Sequence, residues 1–170
     1  MTVAFPDGID AQGNAALWFL PAIADPTSPT VSEFTAGVNL SCAIDGFSAP
    51  SEQASTNDIR YCSTQQFETP GRVTTTIDPI NYVFDPQEPD NAIEYKHYNT
   101  LVAGSRGFLV NRLGMDVNTA PLAGQYVDVY PVTAGVQARQ AIDPSAEGAK
   151  IKVTQKFFVT GPVRYDALVA

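Results

Sequence analysis

The chain has 170 residues, a formal net charge of −8, 44% hydrophobic residues and only 16% charged ones. That apolar share builds a sizeable core and excludes global disorder. The longest apolar run, Ala15 to Ala24, is broken by Pro21, so no stretch is expected to span a bilayer.

Residues 1–14 lack periodicity and read as an amino-terminal arm. Ala15 to Ile23 reads as a buried strand, and Asp25 to Thr30, with two prolines, as a turn. Val38 to Ile44 is a short second strand. Residues 45–57 carry Ser, Ala, Gly, Pro and acid with almost no large apolar residue. They are expected to form a long loop of the length that tends to be functional. Ile59 to Glu68 and Arg72 to Phe84 read as strands, the second with Val73, Thr75 and Ile77 opposite Thr74, Thr76 and Asp78.

Asp85 to Asp90 breaks the chain. Asn91 and Glu94 form a capping-box-like start to a helix over 91–103, stopped by Gly104. It is the only helix the sequence predicts convincingly. Strands follow at Gly107 to Leu113, Gln125 to Val132 and Lys150 to Thr160. In the last of these, Ile151, Val153, Phe157 and Val159 oppose Lys152, Thr154, Lys156 and Thr160. After Gly161-Pro162, residues 161–170 supply a final strand or arm. The pattern predicts one mainly β domain over residues 1–170, a β-sandwich or partial barrel with one flanking helix.

Signals of chemistry are scarce. His97 is the sole histidine, so any Ser-His or Cys-His site would need it. An isolated histidine on a helix surface is more often structural. No phosphate-binding glycine loop and no nucleophile elbow occurs, and no cofactor is expected. The acids Asp85, Glu88, Asp90 and Glu94, with Asn91, lack EF-hand spacing, and acids at a helix start are accounted for by its dipole. Cys42 and Cys62 are too few for a disulfide framework. With no signal-like stretch in MTVAFPDGID, they read as reduced, partly buried thiols of a cytoplasmic protein.

Charge is unevenly distributed. Residues 1–95 hold 13 acids and 2 bases, giving −11, and residues 96–170 hold 5 acids and 8 bases, giving +3. Such polarity fits either a solvated acidic region or attraction between opposite ends of neighbouring subunits. Lys150, Lys152 and Lys156 share one strand's polar side, either solvated or meeting an acidic neighbour. From the residues alone, the chain is an assembly or binding module.

Several strings in the carboxy-terminal half narrow that class. Arg112-Leu-Gly-Met115, Val127-Asp-Val-Tyr-Pro-Val-Thr-Ala-Gly-Val-Gln137 and Ile151-Lys-Val-Thr-Gln-Lys-Phe-Phe-Val-Thr-Gly161 occur in order. With Arg60-Tyr-Cys62 and Phe67-Glu-Thr-Pro-Gly-Arg-Val73 upstream, the chain resembles major tail tube proteins of long-tailed, non-contractile phages over roughly residues 16–161.

The resemblance implies six-membered rings stacked into a hollow tube through which double-stranded DNA passes without sticking. The subunit would assemble in the host cytoplasm and end in the virion tail. Its partners would be other copies of itself, the tape measure and other tail proteins, and not a membrane. The loop, through Pro50, Ser51, Glu52, Gln53 and Thr56, and the chain ends are placed as bridges between rings. Asp78 and Asp128 are candidate lumen residues, because strand alternation puts each on a polar face. Alternation fixes the face without fixing whether that face is the channel or the outer solvent. A single-ring tail terminator and a carbohydrate-binding β-sandwich are the alternatives. The second would want exposed aromatics, for which Tyr61, Tyr82 and Tyr126 are the candidates.

Overall fold

The structure, a computed structural model, describes residues 7–88, 96–142, 145 and 149–170. Its strands are β1 (Ala15–Leu20), β2 (Val38–Asn39), β3 (Ser51–Asp58), β4 (Phe67–Thr75), β5 (Ile80–Val83), β6 (Arg106–Leu113), β7 (Tyr126–Arg139), β8 (Lys152–Val159) and β9 (Arg164–Leu168). Two short helices, α1 (Val31–Ala36) and α2 (Lys96–Thr100), complete the described elements. Seven strands form one curled antiparallel sheet in the order β2-β1-β6-β7-β8-β5, with β9 also paired to β7. The other two, β3 and β4, make a separate two-stranded ribbon.

The apolar run of β1 does not alternate because both its faces are buried. Leu17 and Phe19 join one core with Leu109, Tyr130, Val132, Val153 and Phe157. Ala16, Trp18 and Leu20 join a second with Val110, Val127 and Val129, closed by Phe34 of α1 and by Ala167 and Val169. β8, covered on one side only, does alternate: Val153, Gln155 and Phe157 point inward, while Lys156 and Phe158 are exposed. Gly107 sits where β6 meets β1; a Cβ there would lie 2.5 Å from the Leu20 carbonyl oxygen.

Two buried polar side chains organise what surrounds the sheet. Gln155 is fully buried. Its amide donates to the Leu101 carbonyl at 2.6 Å and the Gly135 carbonyl at 2.8 Å, and its oxygen accepts from Tyr82 Oη at 2.9 Å. Gln137 donates to Tyr82 Oη at 2.9 Å and to the Tyr98 carbonyl at 2.8 Å. These amides tie α2 and its following turn to the sheet. On the other face Arg112 is 1% exposed, with its guanidinium 5.1 Å over the Trp18 ring. Its Nη atoms donate to the Asp116 carbonyl at 2.9 Å and to Gln125 Oε1 at 3.1 Å, pinning the turn-rich 114–125 segment. Nε is buried without a hydrogen-bond partner. Desolvation lowers the Arg112 pKa, against the opposing pull of Asp116.

Several sequence expectations change. The expected loop 45–57 is in two parts. Residues 45–50 cross the first core, where Phe47 packs on Tyr130 at 5.4 Å, and Ser51 onward is strand β3. Its strand character was hidden because both faces meet solvent, leaving no apolar alternation to read. Conversely, 59–66 is not a strand but the ribbon's tip, and Arg72 to Phe84 is interrupted between Thr75 and Ile80. Val38 to Ile44 pairs with β1 only at Val38 and Asn39. Helix α1 was not anticipated, although Glu33 three residues after Thr30 signals it. Glu33 Oε2 accepts the Thr30 N–H at 2.7 Å.

The expected helix over 91–103 is present as Lys96–Thr100, and its Asn91/Glu94 start lies outside the described residues. His97 is not on a surface: it is 2% exposed, with Nε2 2.7 Å from the Val83 carbonyl oxygen. Both Cys42 and Cys62 are free and exposed, not partly buried. The final segment is integrated into the sheet, with the Ala170 N–H donating to the Pro29 carbonyl at 2.9 Å.

Replacing Gln155 with Leu keeps the side chain similar in size and makes it apolar, but strips partners from two carbonyls and from Tyr82 Oη. The expected loss is about 2–3 kcal/mol, read as a lower urea midpoint at unchanged slope.

Candidate functional site

Among the described strands, β3 and β4, which form the ribbon, contribute no residue to either core. Ser51 pairs with Thr75, Glu52 with Thr74 and Gln53 with Val73; beyond a bulge, Ser55, Thr56, Asn57 and Asp58 face Pro70, Thr69, Glu68 and Phe67. At the bulge the strands approach closely, and a Cβ on Gly71 would lie 2.9 Å from the Ala54 carbonyl oxygen. No residue of either strand is buried. Eight residues at about 3.3 Å each carry the ribbon roughly 26 Å from its base.

The base is fastened at three points. The Thr76 N–H donates to the Pro50 carbonyl and the Asp78 N–H to the Ser48 carbonyl, both at 3.0 Å. Ser51 Oγ lies 2.7 Å from both Thr75 Oγ1 and Tyr165 Oη. Tyr165 in turn packs edge-on to Tyr130 at 6.1 Å. At the far end stand Ile59 and Tyr61, 77% and fully exposed, with Arg60 paired to Asp58 at 3.1 Å.

The candidate loop residues therefore gather on one element: Pro50 at the base, and Ser51, Glu52, Gln53 and Thr56 along β3. The candidate lumen residues occupy different places. Asp78 is exposed in the connection between β4 and β5, beyond the end of the strand that was to carry it. Asp128 lies in β7, on the face that also carries Tyr130, and is half-buried. Its Oδ1 accepts the Asp166 N–H at 3.1 Å. The sequence did not single out Tyr165, and it marked Tyr61 as an edge aromatic of an expected strand without placing it at a tip; the Ser63-Thr64 turn formers were the available sign of the turn.

The described residues hold no group of three or more His, Cys, Asp or Glu suited to a metal ion. The acids Asp90 and Glu94, with Asn91, lie outside the described residues. Of the aromatics expected near edges, Tyr82 is in the core, while Tyr61 and Tyr126 are exposed on separate elements. A groove of about 470 Å³ opens between the approach to β1, the 41–47 segment and the end of β6. Among its lining residues are Ala15, Leu17, Ile44, Asp45, Phe47 and Leu113. Lys152 Nζ lies 2.7 Å from Asp45 Oδ1 at its edge.

Desolvation raises the Asp128 pKa, and the Asp166 carboxylate adds to the rise against the pull of the Asp166 N–H. A carboxyl with a raised folded pKa binds its proton more tightly folded than unfolded, so ionising it lowers stability as pH climbs through that folded value. Asp128→Asn keeps the acceptor oxygen and removes the charge. The variant should have a higher urea midpoint than the parent at pH 7, with the difference vanishing when both are measured near pH 3.

No curated protein matches the chain. The family model for phage tail tube proteins matches residues 3–170. A nearly full-length match, to a mainly β body from which an uncovered ribbon projects, leaves one conclusion: the chain belongs to the phage tail tube protein family.

Proposed function

We propose that this chain is the non-catalytic subunit of a tail tube, six copies closing into a ring and rings stacking into a conduit for DNA ejection. The observation that carries this reading is the β3–β4 ribbon, which buries neither face on its own subunit, in a chain of a self-assembling tail family. A two-stranded ribbon alone is marginal in water, so it calls for a partner surface. In this reading the ribbon crosses from one ring to the next, with Ser51, Glu52, Gln53 and Thr56 on the contacting strand and Pro50 at its base. The sheet edge at β9 meets a neighbouring copy, which removes an open backbone edge from the finished tube; the outer side of β5 is already closed by Ala43 and Asp45 of its own chain. The tape measure and other tail proteins complete the partners, residues 1–170 act as one domain, and assembly takes place in the host cytoplasm.

Replacing residues 54–72 with Asn-Gly, a two-residue turn closing the Gln53–Val73 pair, removes nothing from either core. The thermal midpoint should stay within about 3 °C of the parent, since exposed segments tolerate shortening. Electron micrographs of the parent should contain tubes and those of the variant none. Normal tubes from the variant would remove the ribbon from the ring-to-ring contact. A parent that stops at single rings would instead identify a terminator.

Asp78 and Asp128 face the channel in this reading and hold phosphates at a distance, as the net charge of −8 also does. Tubes carrying Asp78→Lys and Asp128→Lys should retain double-stranded DNA at low salt and release it as salt rises. Variant tubes that bind no more DNA than the parent would show that these carboxylates lie elsewhere.

A further inference from the structure

The groove and the ribbon tip are both apolar surfaces open to solvent, and they suit each other. The groove has a floor at Leu17, an apolar flank at Phe47 and Ile44, and a wall at Leu113, which is 63% exposed. The tip offers Ile59 and Tyr61, both projecting into solvent. Charge adds to shape: Asp45 in the groove is already paired with Lys152, so the acid offered to the tip is Asp10, next to the lining residue Ala11, while Arg60 stands between the two apolar tip residues. The Arg60–Asp58 pair is solvent-exposed, with side chains 73% and 46% accessible, so exchanging that partner costs little.

The two surfaces cannot meet within one subunit. Asp45, Gly46 and Phe47 belong to the segment that leads into β3, whereas the tip lies at the ribbon's other end, roughly 26 Å on. We propose that the groove receives the Ile59–Tyr61 tip of a second copy of this chain. The inference rests on the reading that copies stack through the ribbon, and it names the acceptor surface. One subunit then carries both donor and acceptor on different surfaces. Such a heterologous contact propagates into a filament when it does not close.

Two variants separate the halves of the contact. Ile59→Ser with Tyr61→Ser empties the tip. Gly46→Trp fills the groove from a position where an added Cβ meets nothing within 4 Å. Ala15→Tyr fills the same groove from β1 if the Gly46 variant loses its near-ultraviolet circular dichroism. Each variant alone should need at least about tenfold more protein than the parent to form assemblies in sedimentation. Immobilised groove variant should capture tip variant, because that mixture restores one intact tip and one intact groove. Neither variant should capture itself.

If either variant assembles at the parental concentration, the tip and groove do not meet, while stacking through the rest of the ribbon survives. If only the groove variant is impaired, another segment fills the groove and the inference falls. It falls equally if the mixture captures no better than either variant alone. A parent that never self-associates overturns both the inference and the function on which it rests.

Discussion

Strand β7 must serve three partners and two cores, and most of the fold follows from how it does so. Its first half lies between β6 and β9, with Val127 and Val129 in one core and Tyr130 and Val132 in the other. Its second half pairs with β8 from Val132 onward, with a register shift inside that pairing between Ala134 and Gln137. Gly135 makes the shift possible, since a Cβ there would lie 2.7 Å from the Lys156 carbonyl oxygen. The shifted strand delivers Gln137 to Tyr82 and to the α2 backbone, beside Gln155 from β8. A bulge thus becomes the place where one buried amide, Gln155, and one partly buried amide, Gln137, replace apolar packing. That arrangement is stable because each amide has its partners.

The body and the ribbon obey opposite rules. In the body, strands are covered on one or both faces and their side chains report it. In the ribbon, Ser, Thr, Gln and Glu face water on both sides, and the strands are held by the ladder with two side-chain bonds across it, Ser51 Oγ with Thr75 Oγ1 and Gln53 Nε2 to the Gly71 carbonyl. The join between the two regimes is aromatic: Phe47 and Tyr165 both pack on Tyr130, and Tyr165 also reaches Ser51. The ribbon therefore leaves the body at a defined place, next to the two carboxylate positions Asp78 and Asp128, each of which lies within two residues of that join or its backbone bonds.

What could be read in advance tracks these rules. The β8 alternation and the unbroken apolar run of β1 report burial directly, and both strands lie where the residues indicate. The break after Asp58 and the strand β3 were illegible, because a strand wet on both faces has no hydrophobic period. His97 was misjudged because a single histidine in a short helix says nothing of the carbonyl it reaches. That residues 45–57 hold few core positions was legible. That half of them pair with residues 67–75 is a non-local fact, recorded in backbone bonds and not in composition.

The ribbon's double attachment has a mechanical meaning. A terminal arm, tethered at one end only, passes tension to the body at a single point and yields as an entropic spring. Here both strands return to the body, one through the 45–50 crossing under Phe47 and the other through Thr76 and Asp78 into β5. A pull on the tip divides between the two legs. The cross-strand ladder lies perpendicular to that pull, so the load falls on the anchored ends and does not unzip the pairs. The projecting arm is therefore stiff in tension, while its free faces leave it able to twist.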